Sequence, residues 1–195
     1  MVYLRLMMLE YFAHKNNIPI MQKDGIKFLT KYIKENNIKN ILEIGSAIGY
    51  SSIKMALVNK DIRVTTIERD EIRYREAIKN ISKFKLNDRI NIILGDALDI
   101  DVTGKYDLIF IDAAKSQYIK FFEKFENNLN NEGVIVTDNL SFHGLVEDDS
   151  KTTNRNTKQL VRKIRNYIEY LKENKKYETT FYSLGDGVAI SKKKD

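Results

Sequence analysis

The sequence predicts an α/β protein with a doubly wound, mostly parallel seven-stranded sheet that ends in an antiparallel carboxyl-terminal hairpin. Short apolar runs alternate with helical patterns along the whole chain. The runs are rich in Ile, Val, Leu and Phe but lack strict alternation with polar residues, which is typical of strands covered on both faces. Strand, helix and strand in this order indicate a parallel sheet with helices on both faces.

The predicted elements follow one another without a long gap from residue 40 onward. Five strands of the parallel sheet are predicted at residues 40–44, 63–68, 90–94, 106–112 and 133–138. Helical patterns cover residues 51–59, 71–84, 118–129 and 156–173. Residues 177–182 and 187–191 flank the turn signal Leu184-Gly185-Asp186, so we expect them to pair as a hairpin at the sheet edge.

Length and composition fit one domain over residues 1–195, since a single proline and nine glycines leave no room for a long linker. Cysteine is absent, which excludes disulfides, thiolate metal sites and cysteine nucleophiles and suits a cytoplasmic protein. Arg5 and Glu10 interrupt the apolar start of the chain. We therefore expect an amphipathic helix there rather than a signal peptide or a membrane span, and no membrane partner.

The net charge of +6 is unevenly distributed along the chain. The last 45 residues hold twelve Lys or Arg and five Asp or Glu side chains, so the whole positive excess lies there. Such asymmetry points to a polyanionic partner, and a solvated basic helix is the plainer alternative.

The loop after the first strand has the residues of a small-molecule site. Gly45 and Gly49 allow a tight turn and a close approach of the backbone to a ligand. Ala47 and Ser52 stand where a dinucleotide-binding motif would have its second and third glycines, which argues against a bound pyrophosphate. Ser51 can supply a hydroxyl at the start of the next helix.

Acidic residues follow or end the first three strands, where ligands bind in a sheet of this kind. Glu43 suits a cofactor with a cationic amino-acid end, and Glu68 lies where an acidic residue meets ribose hydroxyls. Asp96, in Gly95-Asp96-Ala97, could accept a hydrogen bond from an adenine amino group. The three together predict an adenosyl cofactor, whereas each alone would also fit a solvated strand end.

The fourth and fifth strands end in a set of oxygen donors. Asp112, Asp138 and Asn139 converge if these strands are neighbours, and two carboxylates with an amide suit a hard cation such as Mg²⁺. Such a cation would favour the oxyanion form of a substrate hydroxyl. Lys115 is placed to take the proton or to orient the nucleophile. The alternative for Asp112 is a helix N-cap, which would not explain the two donors on the next strand.

Three motifs carry a resemblance to a known family. Leu42-Glu-Ile-Gly45-Ser-Ala-Ile-Gly49-Tyr-Ser51, Phe110-Ile-Asp112-Ala-Ala-Lys115 and Thr137-Asp138-Asn139 resemble the cation-dependent O-methyltransferases, which include the catechol and caffeoyl-CoA enzymes. The resemblance implies a Rossmann-like, class I S-adenosylmethionine-dependent methyltransferase fold. It is strongest to the bacterial branch that converts 5-hydroxyuridine at the tRNA wobble position to 5-methoxyuridine. Ala114 departs from the Asp-Ala-Asp-Lys of plant caffeoyl-CoA enzymes, which counts against that substrate class.

The resemblance also implies roles for particular residues. S-adenosylmethionine would be bound by Met21, Glu43, Gly45, Ser51, Glu68, Asp96, Ala97 and Asp112. The ligands of a divalent cation such as Mg²⁺ would be Asp112, Asp138 and Asn139, and the catalytic residues would be Lys115 and Asp112. The stretches Met7-Met8 and Tyr11-Phe12 are expected to pack against the domain or against a second subunit, which leaves a homodimer open.

The basic end of the chain favours a tRNA anticodon loop as substrate, because exposed loop bases can enter a pocket while Lys and Arg hold the backbone. The predicted RNA-binding residues recur at helical spacing on the late helix: Arg155, Lys158, Arg162, Lys163 and Arg165. The first alternative is a small-molecule enzyme acting on a catechol-like diol, which would need the same cation and cofactor. A second alternative is an RNA-binding module without catalysis. RNA binding alone would not explain why Asp112, Lys115 and Asn139 occur together.

Overall fold

The computed structural model describes residues 2–194 as a seven-stranded sheet between two layers of helices. The strands are β1 (Asn40–Ile44), β2 (Arg63–Glu68), β3 (Ile90–Leu94), β4 (Tyr106–Ile111), β5 (Leu129–Thr137), β6 (Tyr177–Tyr182) and β7 (Val188–Lys193). The helices are α1 (Val2–Lys15), α2 (Lys23–Glu35), α3 (Tyr50–Ala56), α4 (Glu71–Lys83), α5 (Tyr118–Phe125) and α6 (Arg155–Glu173).

The sheet confirms the predicted fold class. Its strand order is β3-β2-β1-β4-β5-β7-β6, with β1 to β5 parallel to their neighbours and β7 antiparallel to both β5 and β6. From β1 the chain runs outward to β2 and β3 and then returns to β4 on the other side of β1. This reversal opens a crevice at the carboxyl ends of β1 and β4, which is where ligands bind in such sheets.

The two faces of the sheet bury two separate cores because successive strand residues point to opposite sides. In β1, Ile41 packs with the cluster under α1 to α4, whereas Leu42 packs with the cluster under α5 and α6. Both of these side chains are fully buried. Burial on both faces explains why the central strands lack polar–apolar alternation in the sequence.

Several predicted boundaries differ from the structure. Strand β4 ends at Ile111, so Asp112 lies just beyond it, and β5 begins at Leu129 rather than at residue 133. The early start of β5 has a tertiary cause, because Leu129 pairs with Tyr106 across an irregular register. α5 ends at Phe125 rather than at residue 129, since residues 126–128 tighten into a 3₁₀ turn before β5. No element was predicted for Lys23–Glu35, which forms α2.

An aromatic cluster fastens α5 to α6 and to the hairpin. The ring of Phe122 lies edge-on to those of Tyr167, Tyr170 and Tyr177, at centroid distances of 6.5, 5.6 and 5.0 Å. Phe122 itself is fully buried. Within residues 2–194, every helix is too short or too polar to cross a bilayer.

Replacing Phe122 by Ala should lower the free energy of unfolding by about 3–5 kcal/mol, because it removes a ring that three neighbours contact and leaves a cavity. Urea denaturation followed by circular dichroism measures the loss. The matched control is Phe181→Ala in β6, where the side chain is 40% exposed and little stability should be lost. Equal losses in the two variants would contradict the packing described here.

Candidate active site

A cavity of about 300 Å³ opens at the carboxyl ends of β1 to β4. Of the residues predicted to bind the cofactor, those that line it are Met21, Gly45, Ser51, Glu68, Asp96, Ala97 and Asp112. Lys115 and Asn139, predicted on the catalytic and cation side, line the same cavity. The parallel sheet therefore brings motifs from distant parts of the chain together at the carboxyl ends of its strands.

The loop between β1 and α3 forms one wall and is held in an uncommon backbone conformation. Gly45, Ala47 and Gly49 all have positive φ, at 96°, 46° and 81°. A Cβ on Gly45 would lie 2.3 Å from the backbone oxygen of Asp112, so only glycine fits between the loop and the end of β4. The strained Ala47 is held by its backbone N–H, which donates to Glu68 Oε2 at 2.8 Å.

Glu68 fixes two segments at once at the end of β2. Its other oxygen, Oε1, accepts a hydrogen bond from the backbone N–H of Asp70 at 2.9 Å, at the start of α4. The carboxylate is thus oriented by backbone donors while it lines the cavity. On the neighbouring strand end, Asp96 Oδ1 accepts from the N–H of Leu98 at 2.9 Å. Both acidic side chains are therefore oriented by backbone N–H groups of neighbouring loops.

Glu43 lies behind the cavity wall rather than in it. Its side chain is fully buried, and it accepts hydrogen bonds from the hydroxyls of Ser51, Ser52 and Thr66. Burial raises the pKa of Glu43 to about 7, although the three hydroxyls lower it. The predicted contact of Glu43 with a cofactor would therefore run through Ser51, which does line the cavity.

Asp112, Asp138 and Asn139 meet beyond the ends of β4 and β5. Asn139 Nδ2 donates to Asp112 Oδ1 at 3.1 Å and to Asp138 Oδ2 at 2.9 Å. The backbone positions are set by the strands, since the N–H of Asp138 donates to the oxygen of Ile111. Tyr118 adds a second constraint, because its hydroxyl donates to the backbone oxygen of Asp138 at 2.9 Å.

The electrostatics of this cluster fit a cation. Burial raises the pKa of Asp112 and raises that of Asp138 to about 8, and the negative charge of Asp112 adds to the effect on Asp138. Asp138 Oδ1 is buried without a hydrogen-bond partner among residues 2–194. The amide nitrogen of Asn139 now bridges the two carboxylates, and a half-turn of the amide would present its oxygen instead.

Lys115 supplies the positive charge that acts on both carboxylates, and its charge lowers the pKa of each. It begins the 3₁₀ turn Lys115–Gln117 directly after the Asp112 loop, and its Nζ lies 5.7 Å from the centre of the Phe142 ring. No set of three or more His, Cys, Asp or Glu side chains within the described range is arranged to hold a metal ion. The predicted set has only two such residues, because its third donor is the amide of Asn139.

Several cavity or loop residues were missed by the sequence reasoning. Arg69 and Arg73 also line the cavity, and the sequence signal would have been their position, directly after β2 and in the first turn of α4. Phe142 reaches Lys115, and Asp186 accepts a hydrogen bond from the N–H of His143. Both lie in segments that read only as loop or turn in the sequence.

The basic residues of α6 are not all free. Arg155, Arg162 and Lys163 are exposed, so their charges are accessible to a ligand. Lys158 is half-buried. Arg165 instead donates to the backbone oxygen of Val146 and pairs with Asp149 at 3.0 Å, so it holds the loop before α6. Helix α6 also contacts the turn at Lys115–Gln117, which places it beside the active site. RNA binding by this helix stays a prediction.

The fold and the site together define a class: α/β proteins with a ligand-sized cavity at the point where the strand order reverses. The family model described as O-methyltransferase matches residues 3–194. The chain therefore belongs to the O-methyltransferase family.

Solved structures and a curated relative agree with this assignment. The chain is 41% identical to a candidate caffeoyl-CoA O-methyltransferase from Staphylococcus aureus, with a TM-score of 0.92 and coverage of 97% of this chain and 92% of that one. It is 28% identical to a Bacillus cereus O-methyltransferase in complex with SAH (TM-score 0.82, coverage 97% and 90%). It is 37% identical over 134 residues to the catechol O-methyltransferase of Niastella koreensis, covering 65% of this chain and 60% of that protein.

The buried Glu43 carboxyl predicts a measurable pH dependence of stability. Its pKa is raised from 4.5 to about 7, so its contribution to stability is complete below pH 4.5 and is lost as the pH rises towards 7. In ligand-free protein, the free energy of unfolding should therefore fall about 2 kcal/mol further between pH 5 and 7.5 in the parent than in Glu43→Gln.

Urea denaturation at the two pH values measures this difference. The control is Glu178→Gln, whose side chain is exposed and whose removal should leave the pH dependence of the parent intact. Parent and variants share the Asp138 contribution, and the charge of Asp112 enters the difference only as one of the causes that raise the pKa of Glu43. If the free energy of unfolding changed by the same amount between pH 5 and 7.5 in the parent and in Glu43→Gln, the raised pKa of Glu43 would be contradicted.

Proposed function

We propose that this protein is an S-adenosylmethionine-dependent and divalent-cation-dependent O-methyltransferase, and that its acceptor is 5-hydroxyuridine at the tRNA wobble position. The observation that carries methyl transfer to oxygen is the convergence of Asp112, Asp138 and Asn139 at the cavity edge, with Lys115 beside them. Amide and carboxylate oxygens next to a lysine suit the binding and deprotonation of a hydroxyl group.

S-adenosylmethionine would supply an electrophilic methyl group. Support for it comes from the cavity itself, which Glu68 and Asp96 line at the positions expected for ribose and adenine contacts. Gly45 and Ser51 border the part next to Asp112, where the amino-acid end would lie. The related Bacillus cereus enzyme binds SAH.

A divalent cation held by Asp112, Asp138 and Asn139 would supply Lewis acidity towards the acceptor oxygen. The donor set is hard, because all three groups offer oxygen and none offers sulfur or imidazole. The unpartnered Asp138 Oδ1 supports the proposal, since a buried acceptor without a donor is costly. Two buried carboxylates with raised pKa values need the same positive charge.

Lys115 is the proposed base. Its Nζ would accept the proton of the acceptor hydroxyl, and in the protonated state its charge stabilises the two carboxylates. The Phe142 ring forms a wall beside Lys115, with its centre 5.7 Å from Nζ, and limits where the side chain can lie. Asp112 serves both halves of the site, because it lines the cavity and belongs to the cation cluster.

The proposal of a tRNA acceptor rests on charge and on chemistry. The 5-hydroxyl of hydroxyuridine lies next to the O4 carbonyl, so the base offers two adjacent oxygens to a cation, as a catechol does. The positive excess of the chain lies in its last 45 residues, and Arg155, Arg162 and Lys163 are exposed on α6. Phosphate contacts by such residues supply most of the affinity for RNA backbone.

A catechol-like diol is the second candidate acceptor. The specific observation in its favour is the 37% identity to the catechol O-methyltransferase of Niastella koreensis. The cation cluster would bind either acceptor through two neighbouring oxygens, so the cluster does not discriminate between them. The basic helix is the feature that does.

Replacing Lys115 by Met should lower kcat by roughly 10²–10⁴-fold, because the variant keeps the length of the side chain but has no base. The affinity for S-adenosylmethionine, measured by calorimetry, should stay close to that of the parent. Lys120→Met is the matched control, since Lys120 is exposed one turn further along the chain and should be dispensable. A Lys115→Met enzyme as fast as the control would exclude the lysine as base.

The acceptor is tested by offering purified protein S-adenosylmethionine, Mg²⁺ and either tRNA that carries 5-hydroxyuridine or a catechol, with mass spectrometry of the products. We expect conversion to 5-methoxyuridine, abolished by EDTA. The triple variant Arg155→Gln, Arg162→Gln, Lys163→Gln should raise the KM for tRNA about tenfold or more and leave catechol turnover unchanged.

The control for charge is Lys27→Gln, Lys31→Gln, Lys34→Gln on α2, where three exposed lysines carry the same total charge. This variant should methylate tRNA like the parent. Methylation of the catechol without methylation of tRNA would overturn the tRNA proposal and favour the second candidate. Activity that persists in EDTA would overturn the cation requirement for either acceptor.

A further inference from the structure

Asp186 is a buried carboxylate that the mechanism above does not use. It lies in the turn between β6 and β7 and is only 4% exposed. Its Oδ1 accepts a hydrogen bond from the backbone N–H of His143, while Oδ2 is buried without a hydrogen-bond partner in the described part of the chain. The His143 ring, whose Nδ1 is 3.6 Å from Oδ1, is itself largely exposed. A buried acceptor without a donor is costly and calls for an explanation.

The turn that carries Asp186 holds the loop that follows the cation cluster. The N–H groups of Leu140 and Ser141 donate to the backbone oxygens of Gly187 and Asp186, at 3.0 and 2.7 Å. The fit is close, since a Cβ on Gly187 would lie 2.7 Å from the nitrogen of Ser141. Together with the His143 bond, these contacts fasten residues 140–143 to the hairpin.

The fastened loop has a conformation that would not persist alone. Asn139, Phe142 and His143 have positive φ, at 66°, 48° and 59°, which is uncommon for residues other than glycine. Such conformations persist where surrounding contacts determine them. The contacts from Asp186 and Gly187 begin at the residue after Asn139, so they act on the backbone that presents its amide.

Asp186 also belongs to the electrostatics of the cation cluster. Its negative charge raises the pKa of both Asp112 and Asp138. Three buried or half-buried carboxylates therefore share one region, and Lys115 is the cation that acts on Asp112 and Asp138. A negative charge on Asp186 therefore acts in the same direction as a cation ligand would need, because it adds to the negative potential at Asp112 and Asp138.

We propose that Asp186 is a positioning residue for the cation site: it holds the loop that presents Asn139, and its buried charge strengthens cation binding by Asp112 and Asp138 without coordinating the ion. The inference rests on the proposed function, since it assumes a divalent cation at those residues. Groups behind metal ligands commonly change metal affinity by about 10–100-fold when they are replaced.

The test is the affinity of the full chain for Mn²⁺ alone, measured by calorimetry and by the electron paramagnetic resonance of free Mn²⁺. Asp186→Asn keeps an oxygen to accept the His143 hydrogen bond and removes the charge, so we expect Kd to rise about tenfold. Asp186→Ala removes the acceptor as well and should weaken Mn²⁺ binding further. Affinity for S-adenosylmethionine without metal should change less than affinity for Mn²⁺ in both variants.

Asp107→Asn is the matched control. Asp107 also accepts backbone hydrogen bonds, from Lys39 and Asn40, but it lies at the amino-terminal end of β4, whereas the cation cluster lies beyond the carboxyl ends of β4 and β5. The control should lose stability and keep the Mn²⁺ affinity of the parent. An unchanged Mn²⁺ affinity in folded Asp186→Asn would overturn the role of the charge, whereas a parent that binds no Mn²⁺ would overturn both the proposed cation and this inference.

Hydrogen exchange of the unmodified parent tests the loop contact without any substitution. The amide of His143 donates to a buried acceptor and should exchange slowly, as should those of Leu140 and Ser141. If the Asp186 variants fail to fold, this measurement still decides: rapid exchange at His143 in the parent would overturn the positioning role.

Discussion

The approach of Gly45 to Asp112 is the constraint on which both halves of the site depend. The parallel pairing of β1 with β4 carries the Asp112 N–H to the oxygen of Ile44, at 3.0 Å. The glycine then fits against the backbone oxygen of Asp112 with no room for a side chain. The loop that shapes the cavity and the first residue of the cluster Asp112, Asp138 and Asn139 are thus in direct backbone contact. A shift of either strand would separate the two functions.

The second feature of the site is a set of acidic side chains that are buried with too few positive charges to neutralise them. Glu43, Asp112 and Asp138 all have raised pKa values because burial disfavours their charged forms. Such groups reduce the stability of the ligand-free fold, and they become favourable when positive ligands arrive. The fold tolerates this cost because apolar cores cover both faces of the sheet and the aromatic cluster around Phe122 packs α5 against α6 and the hairpin. The same strands therefore contribute to stability through their apolar faces and to the site through their carboxyl ends.

Prediction from the sequence succeeded where a local pattern coincides with a sheet rule. The carboxyl ends of β2, β4 and β5 could be located to within one residue because buried strands read as apolar runs, and parallel strands bring their carboxyl ends together. It was less successful for Arg165, which was predicted on a binding face by helical spacing alone. Its pairing with Asp149 depends on a loop whose path no periodicity reveals.

The type of the strands and their order along the chain, the glycine loop and the three oxygen donors after β4 and β5 could be recognised from the sequence itself, because each depends on neighbouring residues and on general sheet geometry. Tertiary structure alone decided that Glu43 lies behind Ser51 and that Asp186 reaches His143 across 43 positions of the chain. Burial and hydrogen bonding of a polar side chain depend on which distant segments surround it. A turn signal such as Leu184-Gly185-Asp186 specifies a bend, and only the packed hairpin shows which loop that bend holds.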